Sequence, residues 1–61
     1  MPIVTVEMYP GRTKEQKAAM AKAITDAVVK IAVTTPEQTD VLFKEVARED
    51  WAKAGVLQSD I

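Results

Sequence analysis

The residues from 3 to 9, IVTVEMY, are rich in β-branched side chains and alternate between apolar and polar from Val4 onward. A period of two predicts a β-strand, here with Val4, Val6 and Met8 on one face. The opposite face then carries Ile3, Thr5, Glu7 and Tyr9. Pro10-Gly11 follows as a turn signal, so we expect the strand to end there.

A helical pattern follows this turn. Thr13 and Gln16 fit the T-x-x-Q capping box that opens a helix. The alanine-rich segment that continues to about Val33 has apolar residues three and four positions apart. We therefore expect one long helix whose apolar stripe is formed by Met20, Ile24, Ala27 and Ile31, flanked by Ala23 and Val28.

The second half of the chain predicts shorter elements. Thr35-Pro36 repeats the helix-start signal, with proline at the first helical position, but only about one turn can follow. Val41-Leu42-Phe43, continuing to Val46-Ala47, predicts a second strand. The tail from residue 49 to 61 is mixed, and Trp51 and Gly55 indicate a short turn or hairpin.

Strand, helix and strand within about 45 residues predict a single α+β domain over residues 1–61, built on a βαβ unit with parallel strands. Both predicted strands carry apolar residues on both faces, yet one helix covers only one face. An uncovered apolar face on a two-stranded sheet is not stable alone. We therefore expect other copies of the chain to cover it.

Composition narrows the possible functions. The 61 residues include no cysteine and no histidine, which excludes disulfides, thiolate metal sites, a cysteine nucleophile and a histidine base. The net charge is −1 and the basic residues are scattered, so we expect no nucleic-acid partner. No apolar run approaches 18 residues and no leader pattern is present, so we expect no membrane partner and a cytoplasmic location. We expect neither a metal nor a cofactor.

Pro2 is the residue with the most distinctive chemical potential. Proline is tolerated at the first residue of a strand, and on the residues alone this plain structural role is the favoured interpretation. The alternative is that removal of Met1 frees a secondary amine whose pKa an apolar pocket or a nearby cation pulls toward neutrality, giving a proton-transfer base. Arg12 is suited to hold a carboxylate, and Trp51 to supply an apolar wall.

Several segments together resemble the 4-oxalocrotonate tautomerase family. These are the start PIVTVEM, the segment PGRTKEQK, the alanine-rich helix, and the second strand followed by Trp51 and Gly55, so the resemblance runs nearly from end to end. It implies a βαβ subunit assembled with identical copies, commonly as a hexamer. It also implies a cofactor-free enol–keto tautomerase for a small 2-hydroxydienoate or 2-oxo carboxylate. By this likeness Pro2 is the general base and acid, Arg12 binds the substrate carboxylate, and Trp51 makes the pocket apolar.

Two departures from the family pattern bear on the substrate. Asp40 stands where many members have a second substrate-binding arginine, which argues against a dicarboxylate and leaves Lys44, Arg48 or Lys53 as replacements. Lys53 also stands where a dehalogenase branch has glutamate, so hydrolytic dehalogenation is not expected. The alternative function is that of a non-catalytic assembly subunit in a hetero-oligomer, which a retained Met1 favours.

Overall fold

The chain follows the order strand, helix, strand and hairpin in a computed structural model that describes all residues, Met1–Ile61. Strand β1 spans Ile3–Met8, helix α1 spans Lys14–Ala32 and strand β2 spans Asp40–Glu45. An antiparallel hairpin follows, whose two strands have two residues each: β3 at Ala52–Lys53 and β4 at Val56–Leu57. Single 3-10 turns lie at Pro36–Gln38, Arg48–Asp50 and Gln58–Asp60. The predicted α+β architecture with two parallel strands, one long helix and a C-terminal hairpin is confirmed.

The two long strands are parallel, and the first residue of each strand pairs with the first residue of the other. Ile3 lies beside Asp40 and Met8 beside Glu45. Strand β1 ends one residue before the predicted Tyr9, and β2 begins one residue before the predicted start. The predicted extension of β2 to Val46 and Ala47 is wrong, because the strand ends at Glu45 and only the Val46 N–H still donates to β1, to the Met8 carbonyl at 2.8 Å.

Helix α1 begins where the capping box predicts. The backbone N–H of Gln16 donates to Thr13 Oγ1 at 3.1 Å, and the backbone N–H of Thr13 donates to Gln16 Oε1 at 2.9 Å. This reciprocal pair satisfies two of the backbone donors that a helix N-terminus leaves free. One turn into the helix, Lys17 Nζ lies 2.9 Å from Glu45 Oε2, which ties α1 to the end of β2.

The apolar stripe of α1 differs in its second half from the prediction. Met20, Ile24 and Val28 are half-buried, whereas Ala27 is exposed and Ile31 is 81% exposed. Helix α1 has 19 residues and is about 28 Å long, whereas each six-residue strand is about 20 Å long. The sheet of one chain is therefore too short to cover the last turn of the helix, which carries Ile31.

One chain by itself encloses no hydrophobic core. Thr39 is its only buried residue, while Ile3 and Leu42 on the sheet face away from the helix are 60% and 49% exposed. The accessible surface is 4747 Å², against about 3,900 Å² for a compact chain of this mass. The radius of gyration is 14.5 Å, against about 10.5 Å for a compact chain of this length. No helix is both long and apolar enough to cross a membrane.

Candidate active site

Pro2 lies half-buried immediately before β1, at the edge where both parallel strands begin. Its carbonyl oxygen accepts a hydrogen bond of 3.0 Å from the backbone N–H of Asp40. With Met1 attached, the Pro2 nitrogen is part of a peptide bond and has no basic lone pair. Met1 is 85% exposed, so its loss removes little packing.

Arg12 lies at the opposite end of β1. The strand is followed by Tyr9, Pro10 and Gly11, and Gly11 has a φ of +124°, a conformation that side chains other than hydrogen rarely adopt. This glycine reverses the chain before the capping box at Thr13. Arg12 is thereby held, exposed to solvent, between a turn and the first residue of a capped helix.

Two aromatic rings support the region around Arg12. The ring centroids of Tyr9 and Trp51 lie 4.6 Å apart with an interplanar angle of 57°. Aromatic pairs at this distance and tilt attract one another beyond simple area burial. Trp51 is held by its backbone, whose N–H donates to the Arg48 carbonyl at 3.3 Å and whose carbonyl accepts from the Gln58 N–H at 2.8 Å.

A second guanidinium lies on the same rings. The Cζ atom of Arg48 sits 4.3 Å from the centroid of the Tyr9 ring, within cation–π range. Arg12 and Arg48 both line a pocket of about 300 Å³, together with Met8, Tyr9, Pro10 and Trp51. The chain has two ion pairs, Lys17 with Glu45 and Lys22 with Asp26, so neither arginine has a carboxylate partner. The pocket combines two free guanidinium groups with aromatic walls, which suits a small conjugated anion.

The neighbouring pocket on the other side of Trp51 has the opposite character. It has a volume of about 290 Å³ and is lined by Glu7, Val46, Asp50, Trp51 and Ala52. Its two carboxylates disfavour an anionic ligand. No group of three or more carboxylate side chains is arranged to hold a metal ion.

The structure brings together two of the three residues predicted for the site. Arg12 and Trp51 share one pocket, but Pro2 lies at the far end of β1. Seven residue steps from Pro2 to Tyr9 at about 3.3 Å each separate the two ends by about 23 Å. A single chain therefore does not place Pro2 beside the Arg12 pocket.

Sequence reasoning did not identify Tyr9 as part of this pocket, and it named Arg48 only as one of three replacement cations. The sequence carries no indication that the 3-10 turn at Arg48–Asp50 places the guanidinium of Arg48 over the ring of Tyr9.

A family model and curated relatives with known sequences all match this chain and indicate the same family. The family model described as "Tautomerase enzyme" matches residues 2–61. A probable tautomerase from Ralstonia nicotianae is 40% identical over 60 residues, covering 98% of this chain and 92% of that protein. The 2-hydroxymuconate tautomerase of Bacillus subtilis is 38% identical over 61 residues, covering 100% of this chain and 98% of that protein.

Solved structures agree with these relatives. The crystal structure of YwhB, a homologue of 4-oxalocrotonate tautomerase, has a TM-score of 0.94 at 37% identity and covers 98% of each chain. A 4-oxalocrotonate tautomerase isozyme from Methylibium petroleiphilum has a TM-score of 0.92 at 36% identity, covering 97% of this chain and 92% of that one. The chain therefore belongs to the tautomerase family, and it is an isomerase.

Proposed function

We propose that this isomerase catalyses the cofactor-free enol–keto tautomerisation of a small 2-hydroxydienoate or 2-oxo carboxylate. In this proposal Pro2, freed by removal of Met1, carries the proton, Arg12 binds the substrate carboxylate and Trp51 walls the pocket. The observation that carries it is the pocket of two unpaired guanidinium groups and two aromatic rings. Such a lining fits a conjugated carboxylate, whose anion and π-system find partners there.

The proton transfer needs only one group that both accepts and donates. The Pro2 nitrogen accepts the proton of the substrate's 2-hydroxyl while the oxygen lone pair forms the C=O bond. The electrons of the enol or dienol double bonds move toward the terminal carbon, which takes the same proton back from the nitrogen. Bonds and protons balance without an added reactant, and the amine ends the cycle unprotonated.

The pKa of the Pro2 amine sets the working pH. A terminal amine has an ordinary pKa of about 7.7–8.0, and a secondary amine is more basic. In the site that a second copy completes, burial and the guanidinium groups of that copy disfavour the protonated amine and lower this pKa. A base with a pKa near the working pH is the most effective proton carrier. The ring of Pro2 also fixes φ, which helps to aim the lone pair.

We infer that a second copy of the chain completes the site. The roughly 23 Å between Pro2 and Tyr9 along β1 is too long for one small substrate to bridge. The exposed apolar side chains of the sheet and of α1 support assembly. Ile3, Leu42 and Ile31 are exposed to water in one chain, and contact with a second copy would bury them. A shallow apolar depression of about 280 Å³ at the end of α1, lined by Ala27, Val28, Ile31 and Ala32, adds to this surface. We expect a homo-oligomer, and by family resemblance a hexamer.

The decisive experiment measures intact mass and activity on the same preparation. Protein that has lost Met1 is expected to convert a 2-hydroxydienoate to its 2-oxo form. The loss of absorbance of the dienol is used to monitor this conversion. A variant extended by one glycine ahead of Met1 keeps the Pro2 nitrogen in a peptide bond and is expected to be inactive with unchanged fold and oligomer. Pro2→Ala keeps an amine without the ring and is expected to be impaired but active. Full activity of the extended variant contradicts the amine mechanism, and an inactive processed protein favours the assembly-subunit alternative.

A further inference from the structure

We propose that Arg48 is a second substrate-binding residue, which acts with Arg12 on the carboxylate end of the substrate. This inference rests on the function proposed above and specifies how the substrate is held. The chain after α1 has three basic residues, Lys44, Arg48 and Lys53. Arg48 is the one of them that lines the pocket of Arg12 and Trp51.

Arg48 is held in place by its backbone and by the Tyr9 ring. It begins the 3-10 turn Arg48–Asp50, in which the Asp50 N–H donates to the Ala47 carbonyl at 2.9 Å. Its guanidinium lies 4.3 Å over the ring of Tyr9. No side-chain hydrogen bond uses the guanidinium N–H groups of Arg48, so they remain available to a ligand. The side chain is therefore oriented before a ligand arrives.

The charge of the pocket requires an anion. Arg12 and Arg48 are like charges on one small pocket, and neither has an acidic partner. A carboxylate bound between them relieves this repulsion, and its two oxygens have about four lone-pair sites for the donors of both side chains. Two guanidinium groups on one carboxylate also fix its direction better than one.

The other end of the proposed site limits the substrate class. Asp40 lies in register with Ile3 and its backbone N–H donates to the Pro2 carbonyl, so the residue paired with the proton carrier is an acidic one. A substrate with a second carboxylate at the Pro2 end meets a like charge there. The geometry points to a carboxylate that carries its charge at one end only and presents an uncharged enol system to Pro2.

The test uses binding as well as turnover, because Trp51 is the only tryptophan and its fluorescence reports on this pocket. The probes are crotonate, an unreactive monocarboxylate, and crotonamide, its uncharged counterpart. Arg48→Met keeps the aliphatic stem on Tyr9 and removes the charge. Lys53→Met is the matched control, because Lys53 does not line the pocket.

We expect Arg48→Met to weaken crotonate binding about tenfold or more, the usual effect of losing a charge-assisted hydrogen bond, with crotonamide binding unchanged. We also expect it to raise KM for a 2-hydroxydienoate more than it lowers kcat, and Arg48→Lys to restore part of the loss. Lys53→Met is expected to match the parent in every assay.

The outcomes separate this inference from the proposed function. Crotonate binding equal in parent and Arg48→Met overturns it and leaves Arg48 a structural partner of Tyr9. An equal loss of crotonate and crotonamide binding also overturns it, because the pocket has then lost its shape rather than a charge. If the parent protein shows no tautomerase turnover but Arg48→Met still loses crotonate selectively, the proposed reaction fails and the carboxylate site stands.

Discussion

The backbone N–H of Asp40 donates a 3.0 Å hydrogen bond to the carbonyl oxygen of Pro2. The parallel register continues this contact, since Ile3 lies beside Asp40. Asp40, an acidic residue, is thus the backbone partner of the residue proposed to carry the proton. In the processed chain we expect its negative charge to stabilise a protonated Pro2 amine and so to oppose the lowering of the pKa of Pro2.

Asp40→Asn is therefore expected to lower the pKa of the Pro2 amine in the processed enzyme. Since the unprotonated amine is the active form, the rising limb of the pH profile of kcat/KM moves to lower pH. Asp60→Asn, the same chemical change in the C-terminal turn, is the control and is expected to leave the profile in place. An unmoved profile in Asp40→Asn contradicts this electrostatic account.

The same residue is expected to set the preference between substrates with one and two carboxylates. The parent enzyme should turn over a 2-hydroxydienoate monoacid with a higher kcat/KM than the corresponding diacid, because Asp40 repels a second carboxylate. Asp40→Arg replaces repulsion by attraction and should shift the ratio toward the diacid. The ratio of the two kcat/KM values, measured in parent and variant, checks this. A parent that already prefers the diacid refutes it.

Arg12→Ala is expected to reduce turnover with little effect on folding. Arg12 is exposed and makes no hydrogen bond or ion pair, so the folded protein loses little contact with its removal. If a second copy of the chain buries the pair of Arg12 and the substrate carboxylate, losing that contact costs on the order of 2–5 kcal/mol in transition-state binding. Kinetics and the urea midpoint, both at one protein concentration, separate the two effects. Arg12→Lys should recover only part of the rate, because lysine lacks the planar fork. Unchanged kinetics in Arg12→Ala remove this residue from the site.

The hairpin offers a test of local stability that leaves the pocket untouched. Ala54 and Gly55 connect β3 to β4 with φ values of +54° and +81°. Positive φ at both central residues is the requirement of a type I′ turn, in which Asn-Gly is the preferred pair. Ala54→Asn is expected to stabilise the protein by about 0.5–1 kcal/mol, and Gly55→Ala to destabilise it. Chemical denaturation of both variants checks the prediction, and a destabilised Ala54→Asn contradicts it.

The elements that could be predicted from sequence are those that depend on neighbours along the chain. The alternation in β1 and the Thr13–Gln16 capping box involve residues at most a few positions apart, and both occur as predicted. The exposure of Ile31 depends on the length of the strands, which distant segments of the chain supply. The position of Arg48 over Tyr9 depends on a 3-10 turn that no side chain caps. Such contacts are set by tertiary packing, which leaves no periodic signal in the sequence.

The separation of Pro2 from Arg12 predicts that two variants, each impaired by itself, restore each other's activity. If each site takes Pro2 from one copy and Arg12 from another, a mixed oligomer of Arg12→Ala and the glycine-extended protein contains some complete sites. Random assembly of equal amounts in a symmetric oligomer gives about a quarter of sites with both groups intact. Mixing in denaturant followed by refolding allows the chains to redistribute, and each variant refolded alone is the control. If activity stays at the level of the separate variants while mass spectrometry shows mixed oligomers, Pro2 and Arg12 do not reach one site from different chains.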